Sequence, residues 1–184
     1  MKRNILKDKE IVIGICGGIS AYKIPELIRL FKKNQAKVSC ILTESAKNFV
    51  TPLTLKILSQ NEVYSDMFAE YTFDIEHISL AEKADVVVVA PCSCNTLAKL
   101  ATGKAEDLLS CVVIATKAPV LLCPSMNENM FKYKATQENI EKLKSYGFHI
   151  MLPEKGELAC NKIGIGRLPD INKIFEKVKE ILQK

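Results

Sequence analysis

Apolar and polar positions in this chain alternate between short, wholly apolar runs and longer amphipathic stretches. Ile11-Val12-Ile13-Gly14-Ile15-Cys16 is apolar at every position and predicts a strand buried on both faces. Gly17-Gly18-Ile19-Ser20 follows as a tight turn. Residues 21–33 predict a helix with Ile24, Leu27, Ile28 and Phe31 on one face, and Pro25 suits its first turn. Residues 38–42 predict a second strand. Thr43-Glu44-Ser45 then opens another helical segment, which residues 53–58 continue after Pro52. Residues 86–90, preceded by Asp85, predict a third buried strand, and residues 96–101 and 108–116 predict helices. The remaining expectations are a strand at 120–123, a helix at 136–146 stopped by Gly147, a last core strand at 148–152 and a closing helix at 171–182.

Buried strands alternating with amphipathic helices predict an α/β fold, a doubly wound parallel sheet of Rossmann-like type covered on both sides. No repeat, low-complexity tract or linker interrupts the pattern, so one domain over residues 1–184 is expected. Ligands of such sheets bind beyond the carboxyl ends of the strands. The unusual polar segments fall at those ends: Gly17 to Ser20, Thr43 to Ser45, Pro91 to Thr96 and Pro124 to Met130.

Composition narrows the function classes. Net charge is +5, but lysines mostly neighbour glutamates, as in Glu176-Lys177-Val178-Lys179-Glu180, which is the pattern of a solvated helix face. There is no basic block with interleaved aromatics and no Trp, so nucleic-acid binding is not expected. No run of 18 apolar residues suggests a membrane span, and the charged first ten residues lack the apolar core of a signal peptide. The seven cysteines are odd in number and mostly sit in or beside apolar runs. Free thiols in a reducing cytoplasm are therefore expected rather than a disulfide framework. Cys92-x-Cys94 is one residue too tight for the usual zinc spacing and both histidines are distant, so no metal site is expected.

Chemistry concentrates in five places. Gly17-Gly18-Ile19-Ser20 could bring backbone N–H groups to a phosphate at a helix start, or be a plain strand-to-helix turn; it is not the dinucleotide fingerprint. Ser93, Cys94, Asn95 and Thr96 supply hydroxyl, thiol and amide groups that could touch a ligand as well as cap a helix. His77, beside Asp74 and Glu76, could abstract a proton near neutral pH or be an ordinary histidine among acids. Asn127 stands between Met126 and Met130 after Pro124. Cys160 differs from the other six cysteines: it sits between Lys155 and Lys162, among Gly156, Gly164 and Gly166, before Arg167. Positive surroundings of that kind make a thiol reactive.

Taken together, these segments resemble the homo-oligomeric flavin-containing cysteine decarboxylases. The resemblance rests on Gly17-Gly18-Ile19-Ser20-Ala21-Tyr22-Lys23, the His77 segment, Ala90-Pro91-Cys92-Ser93-Cys94-Asn95-Thr96-Leu97-Ala98, Pro124-Ser125-Met126-Asn127-Glu128-Asn129-Met130, and Leu158-Ala159-Cys160 with Gly164-Ile165-Gly166-Arg167, which together span nearly the whole chain. Two departures stand out: Phe131 where the family usually has Trp, and Asn161 where it usually has Gly after the cysteine.

The resemblance implies a Rossmann-like flavoprotein domain that binds FMN. The implied reaction converts 4'-phosphopantothenoylcysteine to 4'-phosphopantetheine in coenzyme A synthesis. The thiol is oxidised to a thioaldehyde, CO2 leaves, and the product is re-reduced. Implied roles are cofactor contacts for Gly17, Gly18, Ile19, Ser20, Thr43, Ser45, Ser93, Cys94, Asn95, Thr96 and Ser125. His77 is implied as base, Asn127 as carboxylate ligand and Cys160 as proton donor. Met130, Lys155, Ala159 and Arg167 are implied as further substrate contacts, with residues 155–167 forming a clamp. Trimers, and possibly dodecamers, are implied as well. A synthetase domain, common behind this one in bacterial relatives, is not expected after the single closing helix. Two other readings stay open: decarboxylation of a peptide C-terminal cysteine, and a flavin-binding regulatory subunit.

Overall fold

The structure is a computed structural model that describes residues 4–67, 76–157 and 163–183. Its centre is a parallel sheet of β1 (Glu10–Ile15), β2 (Lys37–Leu42), β3 (Val63–Tyr64), β4 (Val86–Cys92), β5 (Val120–Pro124) and β6 (His149–Ile150). The spatial order is β3-β2-β1-β4-β5-β6. Strand order reverses between β1 and β4, which lie side by side with Ile11 opposite Val86 and Gly14 opposite Val89. That switch point is where a doubly wound sheet opens a crevice.

Two apolar layers explain why the strands carry no polar face. On one side, α1 (Ile24–Lys33) and α8 (Ile171–Leu182) pack together, with the Phe31 and Phe175 rings 5.5 Å apart. The α1 face of Ile24, Leu27, Ile28 and Phe31 is fully buried there, as its spacing predicts. Leu55 of α2 (Pro52–Ser59) joins the same layer. The other layer holds α3 (Glu76–Lys83), α4 (Cys94–Ala101), α5 (Leu108–Ala115) and, beyond β5, α7 (Lys134–Ser145). Gly14 lets α5 lie close on β1, since a Cβ there would collide with the Leu109 side chain.

The amino end of the sheet is fastened by Asp85. Its carboxylate accepts from Lys9 Nζ at 2.7 Å and from the Glu10 N–H at 2.8 Å. Asp107 caps α5 through a reciprocal box with Ser110, and Gly147 ends α7 at φ 91°. These devices fix the scaffold and leave the carboxyl ends of the strands free for loops.

Four local features differ from the sequence expectations. The helix expected over 21–33 is a 3-10 turn, Ile19–Lys23, followed by α1; Pro25 has no N–H to donate and sits in the first turn of α1. The strand expected over 148–152 pairs only at His149–Ile150. It is a half-buried edge rather than a core strand. The segment expected as a Gly-rich loop contains an antiparallel pair, β7 (Glu154–Glu157) and β8 (Ile163–Arg167), with Gly156 opposite Gly164. β3, only two residues long, has no signal in the sequence pattern.

Candidate active site

A cavity of about 720 Å³ opens where the carboxyl ends of β1, β4 and β5 meet. The loop after β1 contributes Gly17, Gly18, Ile19 and Ser20. Gly17 packs against Ser45, and a Cβ there would lie 2.9 Å from the Ser45 carbonyl carbon and collide with its Cβ. Gly18 is extended at φ −176°, so conformation does not demand glycine. Instead a Cβ at Gly18 would meet nothing within 4 Å, and the bare backbone faces open space. The 3-10 turn repeats every three residues, so Ser20 and Lys23 share one side and Ile19 and Tyr22 another; all four reach the cavity wall.

The loop after β5 ties the site together. The Ser125 N–H donates to Cys92 O at 3.1 Å, and its Oγ lies 2.9 Å from Ser20 Oγ. Ser125 Oγ also donates to Gly166 O at 3.2 Å, a carbonyl that accepts from the Met126 N–H at 3.0 Å. Gly166 has φ 157°, and a Cβ there would collide with Met126 O. The root of β8 is thereby pinned to the residue before Asn127. Asn127 caps α6 (Glu128–Lys132), its Oδ1 accepting from the Asn129 N–H at 2.9 Å. Because only the oxygen can accept that bond, Nδ2 is left as the available donor. Met130, half exposed, lines the same wall.

From the loop after β4, Ser93 and Cys94 reach the cavity. Ser93 also caps α4, accepting from the Thr96 N–H at 3.2 Å. Thr96 is buried and bonds Cys16 Sγ at 3.1 Å, so its hydroxyl serves packing. Cys94 Sγ lies 3.3 Å from Thr136 Oγ1. Burial pushes the Cys92 thiol up, while hydrogen bonding from Cys92 holds Cys16 below its ordinary value.

The remaining sequence-derived residues sit elsewhere. Thr43 bonds Ile15 O through its N–H at 3.0 Å, which fastens its loop to β1, and Ser45 supports Gly17 from behind. Asn95 is exposed on α4 and Lys155 is exposed on β7; neither lines the cavity. His77 is half-buried in the first turn of α3 and is also absent from the cavity wall. Ala159 and Cys160 lie outside the described residues.

Six further residues line the cavity: Tyr22, Lys23, Met126, Glu157, Gly166 and Leu168. Tyr22 and Lys23 continue the 3-10 turn that begins with the expected Ile19 and Ser20. Arg167, which also lines the wall, lies across Gly156, whose added Cβ would sit 3.2 Å from Arg167 Cδ and Nη1. Among the described residues no carboxylate comes within 4 Å of Lys23 or Arg167. Also among the described residues, no cluster of metal-ligating side chains occurs. Approachable backbone amides, paired hydroxyls, an amide donor and two unpaired cations together suit a ligand bearing several anionic groups.

Residues 2–183 match the family model described as Flavoprotein. The chain is 41% identical over 180 residues to the coenzyme A biosynthesis bifunctional protein CoaBC of Haemophilus influenzae, covering 97% of this chain and 45% of that protein. The chain thus spans under half the length of the bifunctional relatives it matches. A protein of Streptococcus mutans described as probable phosphopantothenoylcysteine decarboxylase is 39% identical over 177 residues, covering 95% of this chain and 99% of that one. Among solved structures, a cysteine-to-serine variant of PPC decarboxylase complexed with pantothenoylaminoethenethiol superposes with a TM-score of 0.86 at 26% identity, covering 97% and 100% of the two chains. MrsD from Bacillus sp. HIL-Y85/54728 superposes with a TM-score of 0.84 at 26% identity, covering 98% and 99%.

Proposed function

The chain belongs to the Flavoprotein family, and from that premise we propose that it is an FMN-dependent lyase, decarboxylating 4'-phosphopantothenoylcysteine to 4'-phosphopantetheine. The observation that carries this reading is one cavity in which Asn127 Nδ2 is free to donate and the Gly17 to Ser20 loop offers bare backbone amides. FMN fits the residues present. Gly18 leaves space where a side chain would stand, Gly17 lets the loop lie close on Ser45, and Ser20, Ser93, Cys94 and Ser125 offer hydroxyl and thiol groups along the same wall. When bound there, FMN supplies the two-electron oxidation of the substrate thiol and the later return of those electrons.

The chain's own residues bind, orient and move protons. Asn127 holds the substrate carboxylate as a neutral donor, so no positive charge stabilises the ground-state carboxylate against loss of CO2. Arg167 and Met130 contact the substrate from the cavity wall. Lys155 flanks it, and Ala159 and Cys160 close over it within a clamp over residues 155–167, where Cys160 returns a proton to the enethiolate. His77 acts as base in the oxidative half. In a single chain His77 lies off this cavity wall, so it reaches a site only from a neighbouring copy, and self-association as trimers is part of this reading. Apolar side chains exposed on the surface, Leu53 and Ile57 one turn apart on α2 and Phe49 just before it, support such contacts. One flavoprotein domain over residues 1–184 and a cytoplasmic setting complete the reading; six free thiols among the described residues support the latter. Among the described residues no helix is long and apolar enough to cross a membrane.

The test is the visible spectrum of the purified protein followed by mass analysis of the product. A yellow protein that converts 4'-phosphopantothenoylcysteine to 4'-phosphopantetheine is expected. A colourless protein that takes up no added FMN would overturn the reading, and turnover only of peptides ending in cysteine would replace the substrate.

A further inference from the structure

Lys23 lines the cavity, yet none of the roles above uses it. We propose that Lys23 is a specificity-determining residue that binds the 4'-phosphate of the substrate; this rests on the functional reading just given. The 3-10 turn Ile19–Lys23 stacks residues three apart, so Lys23 stands on the same side as Ser20 and about 6 Å further along the turn. The loop that receives the cofactor's phosphate and the lysine are thus neighbours on one wall without being the same site. The lysine is half-buried, with its ammonium 5.9 Å from the centroid of the Tyr22 ring. No carboxylate among the described residues neutralises it.

A half-buried cation on a cavity wall with no carboxylate of the described residues within 4 Å, Glu157 of the same cavity included, is suited to an anionic ligand. Two dianionic phosphates, one on the cofactor and one on the substrate, must share this cavity with a carboxylate. Backbone amides and Ser20 serve the first phosphate, and Asn127 serves the carboxylate. Of the two cations on the wall, Arg167 is laid against Gly156 of the hairpin. Lys23 projects from the rigid strand-to-helix turn, where a compact ammonium at the end of a flexible stem can meet a phosphate as a point charge. A peptide substrate ending in cysteine has no such phosphate, so this contact separates the two substrate classes.

The experiment compares the holoenzyme with Lys23→Gln and Lys23→Arg on two substrates, 4'-phosphopantothenoylcysteine and its dephosphorylated form, pantothenoylcysteine. For Lys23→Gln, kcat/KM on the phosphorylated substrate is expected to fall about thirtyfold, mostly through KM, as for the loss of one charge-assisted hydrogen bond. On the dephosphorylated substrate it should stay within about twofold, and the bound flavin should be unchanged. Lys23→Arg should keep most of the preference for the phosphorylated substrate. Should the Gln variant not fold, Lys23→Met keeps the apolar stem against Tyr22 and is expected to show the same discrimination. Equal losses on both substrates, no loss on either, or a colourless variant would overturn the assignment. A wild-type holoenzyme that releases no CO2 from either substrate would overturn the functional reading and the assignment with it.

Discussion

Alanine at Gly17 and alanine at Gly18 are chemically the same change at adjacent positions, yet they should fail differently. At Gly17 the new methyl would lie 2.9 Å from the Ser45 carbonyl carbon and 3.0 Å from its oxygen, besides colliding with the Ser45 Cβ. Carbon contacts relax near 3.5–4.0 Å, and the Ser45 Cβ is the closest atom, so Ser45 must retreat by roughly 1–1.5 Å. It cannot do so freely, because the next residue, Ala46, is fully buried in the layer under β1 and β2. Overpacking of this kind costs about 2 kcal/mol, which for a chain of this size is a fall of roughly 4–8 °C in Tm. At Gly18 the methyl meets nothing within 4 Å and the backbone is extended, so the fold should not register the change. The methyl would instead occupy space on the cavity wall, where a phosphate must approach the backbone. Thermal melting of the flavin-free proteins and titration with FMN separate the two effects. Gly17→Ala should melt early; Gly18→Ala should melt like wild type and hold FMN at least about tenfold more weakly. A Gly18→Ala protein that binds FMN as wild type does would refute the placement of the phosphate on this loop.

Other consequences follow from the same geometry. Asn127→Asp keeps an oxygen to cap α6 but turns the donor facing the substrate into a negative charge, so melting should be unchanged while kcat/KM falls at least about 100-fold in a CO2-release assay. Cys160→Ser should still release CO2 yet accumulate the oxidised enethiol; mass analysis finding normal 4'-phosphopantetheine would remove Cys160 from its role. For Asp107, burial alone would raise the carboxyl, but Lys99 at 2.8 Å and the Ser110 N–H outweigh it and hold it below the usual carboxylate value. Its folded value is depressed, so its stabilisation is present above the ordinary value near 3.9 and is lost as pH falls through the folded one. Asp107→Asn should therefore lower Tm at pH 7, and the gap to wild type should close in melts taken at progressively more acid pH.

Much of this molecule is legible along the chain because strands apolar on both faces alternate with amphipathic helices, the pattern of a doubly covered parallel sheet. Ile11 to Cys16, residues 86–90 and the α1 stripe of Ile24, Leu27, Ile28 and Phe31 follow from hydrophobic period alone. So does the clustering of odd polar segments at strand ends, since a parallel sheet sends every such loop to the same edge. The resemblance to the cysteine decarboxylases supplied candidate roles for Asn127, His77 and Cys160, which no periodicity contains.

Tertiary structure decided what depends on distance between segments far apart in sequence. The hydrogen bonds linking Ser20, Ser125 and Gly166 join two strand-end loops and the β7–β8 hairpin, and no local pattern announces them. The commitment of Asn127 Oδ1 to its own helix, which leaves Nδ2 for a ligand, is a matter of one side-chain orientation. Lys23 enters the cavity because the 3-10 turn that carries it, Ile19–Lys23, lies along the cavity wall. Thr96 looks like a ligand contact in the sequence, yet its hydroxyl is spent on Cys16 and Ser93 inside the core. Periodicity reports which face of an element is buried; it carries no information on which loop, turn or hydroxyl the neighbouring element brings to the same point in space.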